Sequence, residues 1–120
     1  MNFFSIKNNK KYFSLALSDL KAIIRKDVLF FIETFFTQLN FKMDSQQYKD
    51  YSCHLFFSLK PVTAHIILDN YTHHEKNGHG YVHIYLHNTQ TNKSQEFKYH
   101  GIPSIDLLNS ILETLRNLWT

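Results

Sequence analysis

Histidine is concentrated in one part of this sequence, among acidic and aromatic residues. All eight histidines lie between His54 and His100, and five of them fall within HHEKNGHGYVHIYLHN, from His73 to Asn88. Imidazole titrates near neutral pH, binds transition metals and serves as a general acid or base. The sequence therefore permits a metal site, an acid–base site or a simple polar surface, and the fold decides among them.

A metal site needs three or four ligands about 2 Å from one ion. His83 and His87 are four residues apart, which on a strand is roughly 13 Å. Neither an HExxH helical motif nor an HxH strand motif is present. We predict no cofactor, and no metal on the strands. For His73, His74 and His79 the question stays open, because they fall in a long loop whose path the sequence does not predict.

The elements that position the other histidines are strands, because apolar and polar residues alternate there with a period of two. One apolar face per strand is typical of an antiparallel sheet that is covered on one side. The predicted connections are a turn at residues 60–63, a long loop at 70–80 and a turn at 90–93. The inward positions of the four predicted strands are Cys53, Leu55, Phe57 and Leu59; Ala64, Ile66 and Leu68; Val82, Ile84 and Leu86; and Phe97 and Tyr99.

The register follows if apolar residues face apolar residues across each pair of strands. Hairpins centred on Pro61-Val62 and Thr91-Asn92, with a pairing centred near Lys76, satisfy this condition. They pair Phe57 with Ile66, Ile66 with Leu86, Leu68 with Ile84, and Ile84 with Tyr99. On the opposite face they predict three cross-strand rows, namely His54, Asp69, His83 and His100; Phe56, Ile67, Tyr85 and Lys98; and Ser58, His65, His87 and Glu96.

The outer rows of this predicted face carry an acid–base hypothesis. Opposed Cβ atoms on neighbouring strands are roughly 5 Å apart, so Asp69 would orient His83 and Glu96 would orient His87. The acid–base group would consist of His54, Asp69, His83 and His100, with Lys98 and Tyr85 to hold an anion. Such a set could cleave RNA without a metal. The sequence has no Gly-rich phosphate loop and no GxSxG motif, which would mark other enzyme classes.

The middle row carries an interface hypothesis. Phe56, Ile67 and Tyr85 would form an apolar bar between two polar rows, and an apolar centre with a polar rim is typical of a protein interface. An alternative is that the N-terminal segment covers the bar with Phe3, Phe4 and Phe13. A third interpretation is that these side chains only fill the solvent-facing side of a sheet.

Helical periodicity flanks the strands on both sides. Residues 19–41 carry apolar side chains at three- and four-residue spacing, with Ser18 or Asp19 as the N-cap. Residues 42–50 read as a polar connector, and residues 2–17 as either a hairpin or an early helical turn. A closing helix follows Pro103 and Ser104. Its predicted stripe consists of Ile105, Leu108, Leu112, Leu115 and Trp119, widened by Ile111 and Leu118.

These elements predict a single α+β domain over residues 1–120. It is a four-stranded antiparallel meander, five- or six-stranded if the N-terminal segment adds strands, with a long N-terminal helix and a C-terminal helix packed on one face. Cys53 is the only cysteine, which excludes an internal disulfide and fits a reducing compartment. With no signal-peptide pattern and no span long enough for a bilayer, we expect a soluble cytoplasmic protein without a membrane partner. Monomer and homodimer both remain open.

The C-terminal third, with its G-I-P-S turn from Gly101 to Ser104 and the SIDLLNSILETL run, resembles small bacterial toxin-immunity proteins, including those of contact-dependent inhibition systems. That resemblance implies a non-catalytic inhibitor that occludes the active site of a toxin. The chain departs from those proteins in lacking an acidic face, since its net charge is +3.

We therefore predict a small, non-catalytic protein-binding module that masks a partner protein through the face of the sheet that carries the histidines and aromatic residues. The alternatives are a histidine-dependent enzyme such as a metal-independent ribonuclease, and a basic nucleic-acid-binding domain; the latter is less favoured because the basic residues form no stripe. The predicted partner-binding residues are His54, Phe56, His65, Ile67, Asp69, His83, Tyr85, His87, Glu96, Lys98 and His100.

Overall fold

The computed structural model describes residues 26–49, 52–71 and 80–119. They form an α+β fold in which a five-stranded antiparallel meander, in the order β1-β2-β3-β4-β5, carries two helices. The elements are α1 (Lys26–Gln38), β1 (Lys42–Lys49), β2 (Ser52–Leu59), β3 (Val62–Asp69), β4 (Tyr81–Asn88), β5 (Ser94–His100) and α2 (Ile105–Trp119). The α+β class and the antiparallel meander are thus confirmed. The segment 2–17, with Phe3, Phe4 and Phe13, lies outside the described residues.

The fifth strand is β1, which occupies the segment predicted as a polar connector. That prediction is wrong because β1 is an edge strand with few apolar side chains, a composition that is common in edge strands. A β-bulge between Met43 and Ser45 also breaks the period-two pattern. Met43 and Tyr48 pack against the core, whereas most other side chains of β1 are exposed.

Helix α1 ends at Gln38 and not at the predicted Phe41. The reason is a Schellman motif, in which the Phe41 amide donates to the Phe36 carbonyl at 3.0 Å and the Asn40 amide donates to the Thr37 carbonyl at 2.9 Å. Asn40 has the left-handed φ of 72° that this motif requires. Phe41 then packs edge-on against Phe36, with ring centroids 5.3 Å apart. The predicted N-cap, Ser18 or Asp19, lies outside the described residues.

One core joins both helices to one face of the sheet, which we call the core face. Phe36 stacks on Phe57 at 4.7 Å between ring centroids, and both side chains are buried. Helix α1 lies against β1, and α2 lies against β4 and β5. The buried apolar strand residues are Cys53, Leu55, Phe57, Val62, Ala64, Ile66, Leu68, Val82, Ile84 and Leu86.

The predicted stripe of α2 is partly wrong. Ile105, Leu112 and Trp119 are 66%, 37% and 41% exposed, while Leu107, which the prediction left out, is fully buried. The helix carries two overlapping apolar stripes, and periodicity alone does not tell which one meets the sheet. The sheet takes the stripe with Leu107, Ile111, Leu115 and Leu118.

Two polar contacts fix the ends of the sheet. The buried Asn88 side chain donates to the Leu118 carbonyl at 2.8 Å, and its oxygen accepts from the amides of Gln90 and Thr91 in the β4–β5 turn. At the other end, the hydroxyl of the buried Tyr71 donates to the Gly101 carbonyl. Neither α1 nor α2, the helices of the described part of the chain, combines the length and apolarity needed to cross a membrane.

Candidate binding surface on the ring-bearing sheet face

Every residue of the predicted binding set lies on the sheet face opposite the core face. We call it the ring face, because its centre carries imidazole, phenol and phenyl rings. Alternation along each strand produces this placement: β2 turns Cys53, Leu55 and Phe57 inward, and His54 and Phe56 outward. The predicted binding residues on β2, β3 and β4 are half-buried, whereas those on the edge strand β5, namely Glu96, Lys98 and His100, are exposed. Neither described helix covers this face, since α1 and α2 both pack on the core face.

The predicted register is wrong by two residues in all three pairings. Leu55 pairs with Ile66, Ile66 with Ile84, and Ile84 with Phe97. A slip of two residues leaves every side chain on its original face, so apolar matching alone does not detect it. The β2–β3 connection is tighter than predicted, because Leu59 pairs directly with Val62 across a turn at Lys60-Pro61.

The corrected register rearranges the ring face into new rows. The central row consists of Ser45, Phe56, His65, Tyr85 and Glu96, and the next row of Gln47, His54, Ile67, His83 and Lys98. The predicted apolar bar of Phe56, Ile67 and Tyr85 is therefore wrong. His65 lies between Phe56 and Tyr85, and Ile67 lies between His54 and His83.

Three rings of the central row, Phe56, His65 and Tyr85, stack across three strands, and we call them the ring row. The Phe56 and His65 rings are 4.2 Å apart at their centroids and nearly parallel, at 18°. The His65 and Tyr85 rings are 5.5 Å apart, at 28°. Aromatic pairs at such distances are stabilised beyond the area that they bury. The ring row thus gives the centre of this face a defined shape.

Two histidines of the ring face, His54 and His65, contact each other directly. His54 Nδ1 lies 3.0 Å from His65 Nε2, so one nitrogen donates and the other accepts. The pKa of His54 is lowered by burial and then by the positive charge of Lys49, against a smaller opposing effect of Asp69. The pKa of His65 is lowered by burial, then by the charges that His54 and His83 carry when protonated, and by Lys49. Burial and the neighbouring positive charges therefore favour the uncharged form of both imidazoles.

A second hydrogen-bonded chain connects three residues of β4 and β5. His83 Nε2 lies 3.1 Å from a Glu96 carboxylate oxygen, and the Tyr85 hydroxyl lies 3.2 Å from His83 Nδ1. In the tautomer that carries its proton on Nε2, His83 donates to Glu96, and its Nδ1 accepts a hydrogen bond from the Tyr85 hydroxyl. The predicted neighbours were different: Glu96 contacts His83 and not His87.

Asp69 also has a different partner from the predicted His83. Its carboxylate accepts a hydrogen bond of 2.8 Å from the Tyr81 hydroxyl. That hydrogen bond, with a smaller contribution from burial, raises the pKa of Tyr81. Lys98 lies 4.9 Å from the centroid of the Tyr81 ring, and His100 pairs with Tyr81 across the strands. These residues form a polar rim beside the rings.

A groove of about 480 Å³ runs beside the ring row. It exists because the adjacent cross-strand row holds the small side chains of Ser58 and Thr63. The bulge in β1 sets Asp44 and Ser45 at one end of the groove, beside Phe56. The residues lining it are Asp44, Ser45, Phe56, Phe57, Thr63, Ala64, His65, Tyr85 and His87. The sequence prediction missed Asp44, Ser45 and Thr63. No motif marks these residues, because the bulge in β1 and the observed register of the strands bring them to the groove.

Within residues 26–49, 52–71 and 80–119, no three His, Cys, Asp or Glu side chains converge closely enough to hold a metal ion. His73, His74 and His79 lie outside these described residues.

No protein-family model, curated protein or solved structure matches this chain. The ring face and its groove therefore form the candidate functional surface of the described residues.

Proposed function

We propose that this protein is a binding module that docks a partner protein on its ring face. The observation that carries the proposal is the ring row of Phe56, His65 and Tyr85, which forms an aromatic centre surrounded by polar side chains. Aromatic side chains held in place by their neighbours are frequent hot spots of protein interfaces, because they lose little conformational entropy on binding. The toxin-immunity resemblance extends the proposal: the bound partner would be a toxin that this protein inhibits by occlusion.

The distribution of charge favours a protein partner over nucleic acid on this face. Residues 26–120 carry eight basic and nine acidic side chains, whereas residues 1–25 carry five basic and one acidic. The positive net charge of the chain therefore belongs to its first 25 residues and not to the sheet. Nucleic-acid surfaces need an excess of Lys and Arg to neutralise phosphates.

The test compares variants of the ring face with a matched variant elsewhere. A partner is first recovered from native lysate and purified, and its affinity is then measured against each variant. We expect Tyr85→Ala and Phe56→Ala to weaken binding at least tenfold, because each removes a ring from the proposed contact. Trp119→Ala, which removes an exposed aromatic side chain from α2, serves as the control and leaves the affinity unchanged. Unchanged affinity in both ring variants would contradict the proposal.

One observation favours a second candidate, a histidine-dependent enzyme. The hydrogen-bonded side chains of Tyr85, His83 and Glu96 follow the order hydroxyl, imidazole and carboxylate. In such an arrangement the carboxylate orients a base toward a hydroxyl. RNA cleavage in EDTA, compared between the wild type, His83→Ala and His87→Ala, separates the candidates. Turnover that is lost in His83→Ala and kept in His87→Ala supports the enzyme. Absence of turnover in the wild type supports the binding module.

A further inference from the structure

Two features of the groove beside the ring row determine which ligand group would fit it. Its long wall is aromatic, made by the rings of Phe56, His65 and Tyr85, and its end at β1 carries the Asp44 carboxylate. The ring wall favours a flat group that lies against it. The carboxylate favours a cation and repels an anion.

Asp44 is available for a new partner at little cost. Its oxygen lies 3.6 Å from Lys42 Nζ, and the two side chains are 40% and 79% exposed. Such an exposed pair contributes little to stability, because it is screened by water and holds two mobile side chains. A cation that offers two parallel hydrogen bonds to the carboxylate would replace Lys42 with a net gain.

The ring wall is also compatible with a cation at neutral pH. The groups facing His65 are His54 from β2, Lys49 from β1, and His83 and Tyr85 from β4. Burial lowers the pKa of His65, and the charges of His54, His83 and Lys49 act in the same direction, so the uncharged imidazole is favoured. A neutral imidazole does not repel a cation that lies against it, whereas an imidazolium would.

We propose that this groove receives an arginine side chain of the partner protein. The proposal rests on the proposed binding function and deepens it by naming the chemistry of the contact. Guanidinium is the protein group that is at once planar, always charged and able to make a bidentate contact with a carboxylate while it stacks on an aromatic ring. A lysine ammonium lacks the flat surface, and a neutral aromatic side chain would leave the Asp44 charge unused.

The experiment uses the full-length protein, labelled with ¹⁵N, and L-argininamide as the probe. We expect it to shift the amide resonances of Ser45, Phe56 and Thr63 and to saturate in roughly the millimolar range, as a ligand of this size does. L-lysinamide, the matched cation, should bind at least fivefold more weakly. Asp44→Asn, which keeps shape and removes charge, should weaken argininamide binding at least fivefold. Glu113→Gln, the same charge change on an exposed position of α2, should have no effect.

The outcomes separate this proposal from the binding function itself. Absence of argininamide shifts, equal binding of lysinamide, or unchanged binding in Asp44→Asn each overturns the arginine proposal. Binding of uridine monophosphate in the groove in place of argininamide also overturns it, and would indicate a nucleic-acid ligand. If argininamide fails while Tyr85→Ala still abolishes partner binding, the binding function stands alone. If argininamide binds and partner affinity is unchanged in Tyr85→Ala and Phe56→Ala, the groove is real and the proposed function is wrong.

Discussion

The two faces of this sheet are built from the same alternating strands, yet they depend on register in opposite ways. On the core face, Leu55 has an apolar neighbour whether it pairs with Ile66 or with Leu68, and both of these residues belong to the buried core. On the ring face, a slip of two residues exchanges His65 for Ile67 next to Phe56. The core face thus depends only on which alternate residues of each strand point inward. The contacts on the ring face depend also on which residues are paired across the strands.

The strongest test of this difference uses two neighbouring phenylalanines. Phe57 points into the core face, is 1% exposed and stacks on Phe36, whereas Phe56 lies half-buried on the ring face. Phe57→Ala should lower the free energy of unfolding by about 3–5 kcal/mol, because it leaves a cavity in the core. Phe56→Ala should cost less than half as much. Urea denaturation measures both, and equal losses would show that the ring face is as buried as the core face.

A smaller effect on stability is expected at Asn88. Among the described residues, it is the one buried polar side chain of the core face. Asn88→Ala removes the donor to the Leu118 carbonyl and the acceptor for Gln90 and Thr91. We expect a loss of about 1–3 kcal/mol in the free energy of unfolding, because these groups lose their partners in a buried region. Asn109→Ala on the exposed side of α2 is the matched control. A neutral Asn88→Ala would mean that water satisfies these groups.

The two histidines in contact on the ring face should contribute a pH dependence to stability. The pKa values of His54 and His65 are lowered from 6.5 in the folded protein, so the unfolded chain takes up protons first as the pH falls. Stability is therefore full above pH 6.5 and decreases as the pH falls through 6.5 toward the lower folded pKa values. Urea midpoints between pH 8 and pH 5 should fall less in His54→Gln/His65→Gln than in the wild type. His100→Gln, at an exposed position, is the control, and an unchanged slope in the double variant would refute the assignment.

The smallest effect is expected on the side of α2 that turns away from the sheet. Ile105 is 66% exposed, so Ile105→Ser should change the free energy of unfolding by less than about 0.5 kcal/mol. Leu107→Ala, two residues later, should cost about 2–5 kcal/mol because Leu107 is fully buried. Thermal unfolding of the two variants tests which stripe faces the core. A larger loss for Ile105→Ser than for Leu107→Ala would restore the stripe predicted from the sequence.

The sequence predicts the α+β class, and period-two alternation predicts the inward and outward faces of the four strands that it identifies. It does not predict β1, because an edge strand interrupted by a bulge has no sustained period. Nor does it predict the partners of His65 or Glu96, since apolar matching accepts registers that differ by two residues. Helix α1 illustrates the same limit: its apolar period runs on to Phe41, but the left-handed Asn40 ends the helix earlier.

The central claim, that a partner protein docks on the ring face, is tested most directly by site-specific photo-crosslinking. Ser94 is an exposed residue on the ring face, opposite His87, and Ser110 is an exposed residue of α2 on the other side of the molecule. A benzophenone amino acid replaces each serine in turn, and the purified partner is irradiated with each variant. We expect a crosslink from position 94 and none from position 110. A crosslink from position 110 without one from position 94 would contradict this claim.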